Sequence, residues 1–231
     1  MLKSEIKADD ISYEEYYSDS KSEKKEVPWS RFLDQAANIS GTFTEEECRI
    51  IIKMAQIEWQ EKPGEVNASG PIEINEEGTG FKDNFKDKVK EEYRNVTLWQ
   101  PPAPVPWIMD KILTTILSYN KEMWKFNLIG MIENPNIMQY SAPSGQYNWH
   151  MDIGGNDVSM MRKLAYGVIL NKDYEGGEFK IKKGLAEDIL FPDAKVGDMF
   201  VFPTFLLHKV CPVTKGERYA LVGWVHGPSF R

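Results

Sequence analysis

The chain has 231 residues, 42% of them hydrophobic and 12% aromatic, which suits a globular domain large enough to bury a core. A formal charge of −7 argues against a nonspecific grip on nucleic acid, which needs a basic footprint, although a local basic patch remains open. No apolar run approaches the roughly 20 residues that span a bilayer, and the two cysteines, Cys48 and Cys211, have no framework spacing.

Residues 1–28 mix Glu, Asp, Lys and Ser with few aliphatics, so a mobile or loosely packed leader is expected ahead of a single domain over 29–231. The first 20 residues lack the apolar stretch of a signal peptide, and the sparse cysteines fit a reducing, cytoplasmic setting. The sequons at Asn67 and Asn95 then read as chance matches.

Thr44 followed by Glu45, Glu46 and Glu47 has the form of a capping box, and Ile51, Met54, Ala55 and Trp59 fall on one helical face. A helix over 45–59 is predicted. From Gln60 to Asn95 the composition turns to Gly, Glu, Lys and Asn, the texture of a long loop that could act as a lid. The proline-rich 101–106 is a stiff connector into a second amphipathic helix carrying Ile108, Ile112, Ile116 and Met123.

After Lys125 short apolar or alternating runs recur between turn signals: 126–131, 136–140, 163–170, 178–181, 198–202 and 219–225. Helical support over 29–124 followed by a β-rich core over 125–227 defines an α+β protein built on a sandwich or barrel.

All three histidines, His150, His208 and His226, lie in the β-rich half. His150 and Asp152 stand two apart, which on a strand places both side chains on one face. A lone His-x-Asp is more often a surface hydrogen bond or a satisfied core histidine, so a third group must come from elsewhere, and His208 is the natural supplier. Two imidazoles and one carboxylate leave coordination positions open, as in non-haem iron(II) oxygenases. A structural zinc site would want four ligands, usually with thiolates, and Cys211 near His208 keeps that alternative weakly in view.

The stretch Val210–Arg218 reads as a hairpin turning at Thr214-Lys215-Gly216, which would set His208 across from Val222. Arg218 would then share its face, about 13 Å along the strand. A planar guanidinium grips a carboxylate bidentately and stays charged. The alternative is a surface Arg beside Glu217, but the apolar run Tyr219–Val222 favours burial, and a buried Arg needs an acid partner.

In chain order, Gln139-Tyr140, Gly145-Gln146-Tyr147, His150-x-Asp152, Leu170–Phe179 with its Gly176-Gly177 pair, Gly197–Phe202, His208-x-Val210 and Val213–Arg218 through Trp224 together resemble the prolyl 4-hydroxylase-like branch of the 2-oxoglutarate/iron(II) oxygenases. The resemblance implies a double-stranded β-helix (a jelly-roll, cupin-like core). It implies Fe(2+) held by His150, Asp152 and His208, with 2-oxoglutarate as cosubstrate anchored by Arg218 and Tyr140. Tyr147 and Trp224 would line the pocket or be plain aromatic core. His226 matches no ligand of the family and reads as structural.

Collagen-type relatives usually carry Lys where Arg218 stands, which points to the microbial or phage-type branch, and Asp152 favours hydroxylation over halogenation. The implied reaction consumes O2, releases succinate and CO2, and hydroxylates an unactivated C–H bond, with ascorbate as reductant. A peptidyl proline in a peptide or protein substrate is the default. Another side chain or a small molecule is the first alternative, and a non-catalytic metal-binding jelly roll the second.

Overall fold

The computed structural model describes residues 35–64, 66–68, 86–88, 93–154, 158–183, 186–189 and 191–229. All fall within one compact unit, Phe32–Arg231. The leader over 1–28 lies outside the described residues, as does most of the candidate lid over 60–95.

In chain order the described strands begin with β1 (Ala37–Ile39), β2 (Gln60–Pro63), β3 (Val66–Ala68), β4 (Lys86–Lys88), β5 (Arg94–Asn95) and β6 (Thr97–Gln100). They continue with β7 (Asn136–Ser141), β8 (Gln146–His150), β9 (Arg162–Ile169), β10 (Glu175–Gly176) and β11 (Phe179–Lys183). The last five are β12 (Ala186–Ile189), β13 (Met199–Pro203), β14 (His208–Val210), β15 (Val213–Lys215) and β16 (Glu217–His226).

A seven-stranded sheet runs β1-β13-β9-β16-β7-β6-β2 and a five-stranded sheet runs β12-β11-β14-β8-β5. Phe179 and Ile181 of the smaller sheet cluster with Ala165, Ile169, Phe200 and Phe202 of the larger one, which makes the two sheets a jelly roll with its interior between them.

Two described helices cover the outer face of the larger sheet. Helix α1 (Glu45–Glu58) starts at the expected capping box, with the Thr44 amide donating to Glu47 at 2.7 Å and the Glu47 amide to the Thr44 hydroxyl at 3.1 Å. Helix α2 (Pro106–Asn120) has proline in its first turn, where the missing N–H costs nothing, and buries Ile108, Ile112 and Ile116. These isoleucines and Ile51 pack on Leu164, Val168, Val201, Leu221 and Val225. Strand β9 is therefore buried on both faces, which explains its nearly unbroken apolar run.

Three expectations change. Residues 126–131 form no strand. Asn120 bonds the amide and the carbonyl of Phe126, Lys125 sits at φ 56°, and only Gly130 bridges to His226. The apolar residues there, Phe126, Leu128 and Met131, pack against the helix-side core instead. Met123 lies beyond the end of α2.

The third change concerns the hairpin. Gly216 has a positive φ of 74°, as suits a turn there, but β14 and β16 are not partners. The chain crosses between the sheets through β15, which pairs with β10, so His208 and Arg218 belong to opposite sheets. Gly197 turns the chain into β13, with φ 87° and no room for a Cβ beside the Phe43 carbonyl.

Candidate metal centre

His150 ends β8 and His208 begins β14, and the register sets the two directly opposite. Their ring centroids are 4.1 Å apart. Each imidazole is fixed by its own chain: Nδ1 of His150 meets the Asn148 carbonyl at 2.7 Å, and Nδ1 of His208 meets the Leu206 carbonyl at 2.9 Å. A carbonyl only accepts, so both Nδ1 atoms carry the proton and both Nε2 atoms present a lone pair.

Those Nε2 atoms face one carboxylate. His150 Nε2 lies 3.6 Å from Asp152 Oδ1, and His208 Nε2 lies 3.6 Å from Asp152 Oδ2. All three donors fall within 4.8 Å of one another, a grouping that could hold a metal ion. Asp152 stands in the bend just after β8 and not on the strand, held by its amide bonding to the Thr204 carbonyl at 3.0 Å. Among the described residues Cys211 is not part of this group, which removes the support for a zinc reading.

The charge state suits a divalent cation. Burial, reinforced by neighbouring His208, holds His150 down to about 3, so its ring is neutral at physiological pH. Burial alone would raise the Asp152 carboxyl, but His208, His150 and a hydrogen bond from the Trp224 side chain outweigh it and keep the group ionised. Two imidazoles and one carboxylate match the donor chemistry of ferrous iron with open positions.

Arg218 projects from β16 into the same cavity, opposite Tyr140 on β7. It is only 4% exposed, and among the described residues it makes no hydrogen bond or ion pair. Its Cζ lies 5.2 Å from the centre of the Tyr140 ring. Gly177 leaves it room, because a Cβ there would fall 2.9 Å from Arg218 Cδ. The Tyr140 hydroxyl donates only to the Met138 thioether at 3.1 Å, a weak acceptor that a carboxylate would displace.

Tyr147 stacks on the His150 ring at 3.5 Å and 14°, so it lines the cavity and fixes an imidazole at once. Trp224 is also in the wall, and the Arg162 guanidinium lying 3.5 Å over its ring is a contact that sequence reasoning missed. His226 is fully buried away from the three donors and bonds Glu133 at 3.0 Å, as its structural reading expected. Glu133, Arg162 and Thr204, which contact one another or Asp152, carried no signal in the sequence.

Comparison with known proteins agrees with this geometry. The family model described as the 2OG-Fe(II) oxygenase superfamily matches residues 135–226. That stretch carries His150, Asp152, His208 and Arg218.

Among curated relatives, a PKHD-type hydroxylase of Hyphomonas neptunium is 32% identical over 97 residues, 39% of this chain and 42% of that protein. Another, from a Synechococcus species, is 30% identical over 129 residues, 54% of this chain and 56% of that protein. The chain thus spans about half the length of the curated relatives it matches.

Among solved structures, a Pseudomonas putida prolyl-4-hydroxylase superposes with a TM-score of 0.58 at 16% identity, covering 85% of this chain and 94% of that one. A prolyl hydroxylase from Trichoplax adhaerens, in complex with a hypoxia inducible factor oxygen degradation domain peptide fragment, gives 0.59 at 12%, with 84% of each chain covered. These two share the fold. No helix among the described residues is long and apolar enough to cross a membrane.

Proposed function

We propose that the protein is an iron(II)- and 2-oxoglutarate-dependent dioxygenase that hydroxylates an unactivated C–H bond, with a peptidyl proline as the favoured substrate. The observation that carries this reading is the pairing of two features in one cavity. Three donors face a common point, and a buried guanidinium beside them has no anion of its own among the described residues.

His150, Asp152 and His208 would hold the metal, and Arg218 with Tyr140 would hold the distal carboxylate of the cosubstrate. The bound metal and 2-oxoglutarate supply the oxidising chemistry with O2, and succinate and CO2 are the coproducts. The chain's own part is to bind, orient and exclude water. The Nδ1 hydrogen bonds fix both imidazoles, Arg218 sets the far end of the dicarboxylate, and Phe179, Phe200 and Phe202 keep that end dry. Such a cavity suits a non-catalytic jelly roll poorly, because an unpartnered buried Arg218 would then only destabilise the fold.

The prolyl assignment draws on the hydroxylases the chain resembles, one of them solved with a peptide. Ascorbate as reductant, a cytoplasmic location consistent with free Cys48 and Cys211, and a single oxygenase domain over 29–231 belong to the same proposal.

The test is to incubate the iron(II)-loaded protein with 2-oxoglutarate and a panel of proline-containing peptides. The expected result is succinate together with a peptide product heavier by one oxygen atom. Succinate without any peptide product would leave the cosubstrate assignment standing and redirect the substrate to another side chain or a small molecule. No succinate under any condition would overturn the oxygenase reading.

A further inference from the structure

A second polar cluster sits directly behind Asp152. Arg162, the first residue of β9, donates through Nε and Nη2 to the two Glu133 oxygens at 2.7 and 2.5 Å. Its remaining Nη1 donates to the Asp152 carbonyl at 3.0 Å. The face of the same guanidinium lies 3.5 Å over the Trp224 ring, and Trp224 stands with Asp152 in the cavity wall. His226 completes the cluster by donating to Glu133 from Nε2 and accepting the Ile132 amide at Nδ1, 3.2 Å away.

The arrangement holds the Asp152 carbonyl directly through Arg162, and through the same guanidinium it sets the Trp224 ring that shares the cavity wall with Asp152. A bidentate arginine–carboxylate pair fixes the plane of the guanidinium. A guanidinium of fixed plane stacked on an indole in turn fixes the ring. Asp152 needs such help because it stands in a bend, outside the ladder that orders His150 and His208.

We propose that Arg162, backed by Glu133, is a positioning residue for the metal centre: it clamps Trp224 and the Asp152 backbone so that the Asp152 carboxylate faces the two imidazoles. This rests on the metal-centre reading above. Groups that orient a metal ligand without touching the metal typically govern affinity by about ten- to a hundredfold.

The test uses the full chain, freed of metal and titrated with cobalt(II), read by its visible d–d absorption and by calorimetry. Arg162→Met and Trp224→Phe should each weaken cobalt binding about ten- to a hundredfold and alter the absorption bands, which report the coordination geometry. Because both act on one carboxylate, the double variant should bind no worse than the weaker single one. Arg162→Lys keeps the charge but not the fork and should recover little.

A merely structural role would lower the melting temperature while the folded protein kept its cobalt affinity and spectrum, and that outcome overturns the inference. If Arg162→Met does not fold, Arg162→Lys decides alone, since it keeps the charge and removes the fork that reaches Glu133 and the Asp152 carbonyl together. Unchanged affinity and spectrum in that variant are equally fatal. Failure of the unaltered protein to take up cobalt would instead overturn the metal-centre reading, and this inference with it.

Discussion

A guanidinium taken out of water costs several kcal/mol unless an anion meets it, and Arg218 meets none among the described residues. Among the described residues its cavity holds the Tyr140 hydroxyl but no carboxylate beyond Asp152, which already faces two imidazoles. The side chain therefore stores a cost that an incoming dicarboxylate would relieve.

Two opposed effects follow for Arg218→Met. Without ligand the variant should be more stable than the parent by about 1–2 kcal/mol, because a buried unpaired charge gives way to an apolar chain of similar length. Its affinity for 2-oxoglutarate should fall by at least about thirtyfold, the equivalent of roughly 2 kcal/mol for losing one partner of a buried charge pair. Chemical denaturation and calorimetric titration of 2-oxoglutarate onto the metal-loaded protein measure the two effects separately. A variant that binds the oxoacid as tightly as the parent would remove Arg218 from the cosubstrate site.

At the scale of elements, some of the fold was readable and some was not, for physical reasons. Helix α1 was legible because its cap and its apolar face are both local signals, and β9 and β16 because burial on both faces makes long apolar runs. Strands β8 and β14 were not, although they carry His150 and His208. Gln146–His150 and His208–Val210 are short and largely polar, and what makes them strands is their pairing with each other. The same holds for the brace around Glu133, which joins the segment before β7 to the start of β9 and the end of β16 through contacts 29 and 93 residues apart.

That brace predicts a pH dependence. Burial alone would push the Glu133 carboxyl up, but hydrogen bonds from His226 and Arg162 outweigh it and hold it at about 2, against an ordinary 4.5. A carboxyl whose pKa is depressed by folding contributes stability that is complete above its unfolded value and is lost as pH falls through its folded one. The contribution should be on the order of 2–3 kcal/mol above about pH 4.5 and should vanish towards pH 2. Comparing the parent with Glu133→Gln isolates it, since other carboxylates cancel. The stability gap between the two proteins should close across that window, and a gap that is constant with pH would show that the ion pair is not its source.

Across the whole molecule, the site is divided between the two sheets. His150 and His208 come from the five-stranded sheet and Asp152 from the bend following β8, whereas Arg218 and Trp224 come from β16 in the middle of the seven-stranded one. This division was the part least visible in the sequence. The ordered motifs named the participants, but a hairpin placing His208 and Arg218 on neighbouring strands fits the residues between them equally well until the crossover through β15 is seen.

The division also separates what each ligand can do for stability. A metal at the three donors would tie together β8, β14 and the bend after β8, all on one side of the jelly roll. A 2-oxoglutarate chelated there and gripped by Arg218 would join that side to the other, coupling the two sheets through their interior. Ligands that bind only the folded state stabilise it by mass action, about 2.7 kcal/mol at a concentration a hundred times the dissociation constant. For a chain of this size that corresponds to a rise of roughly 5–10 °C in melting temperature.

Calorimetric scans should therefore show one increment on adding cobalt(II) or iron(II) and a second on adding 2-oxoglutarate. The second should be absent without metal, because the oxoacid then has only its Arg218 end to bind. In Arg218→Met the metal increment should persist and the 2-oxoglutarate increment should collapse. If 2-oxoglutarate stabilised the metal-free protein as strongly as the metal-loaded one, the dicarboxylate would not be bridging the two halves of this site.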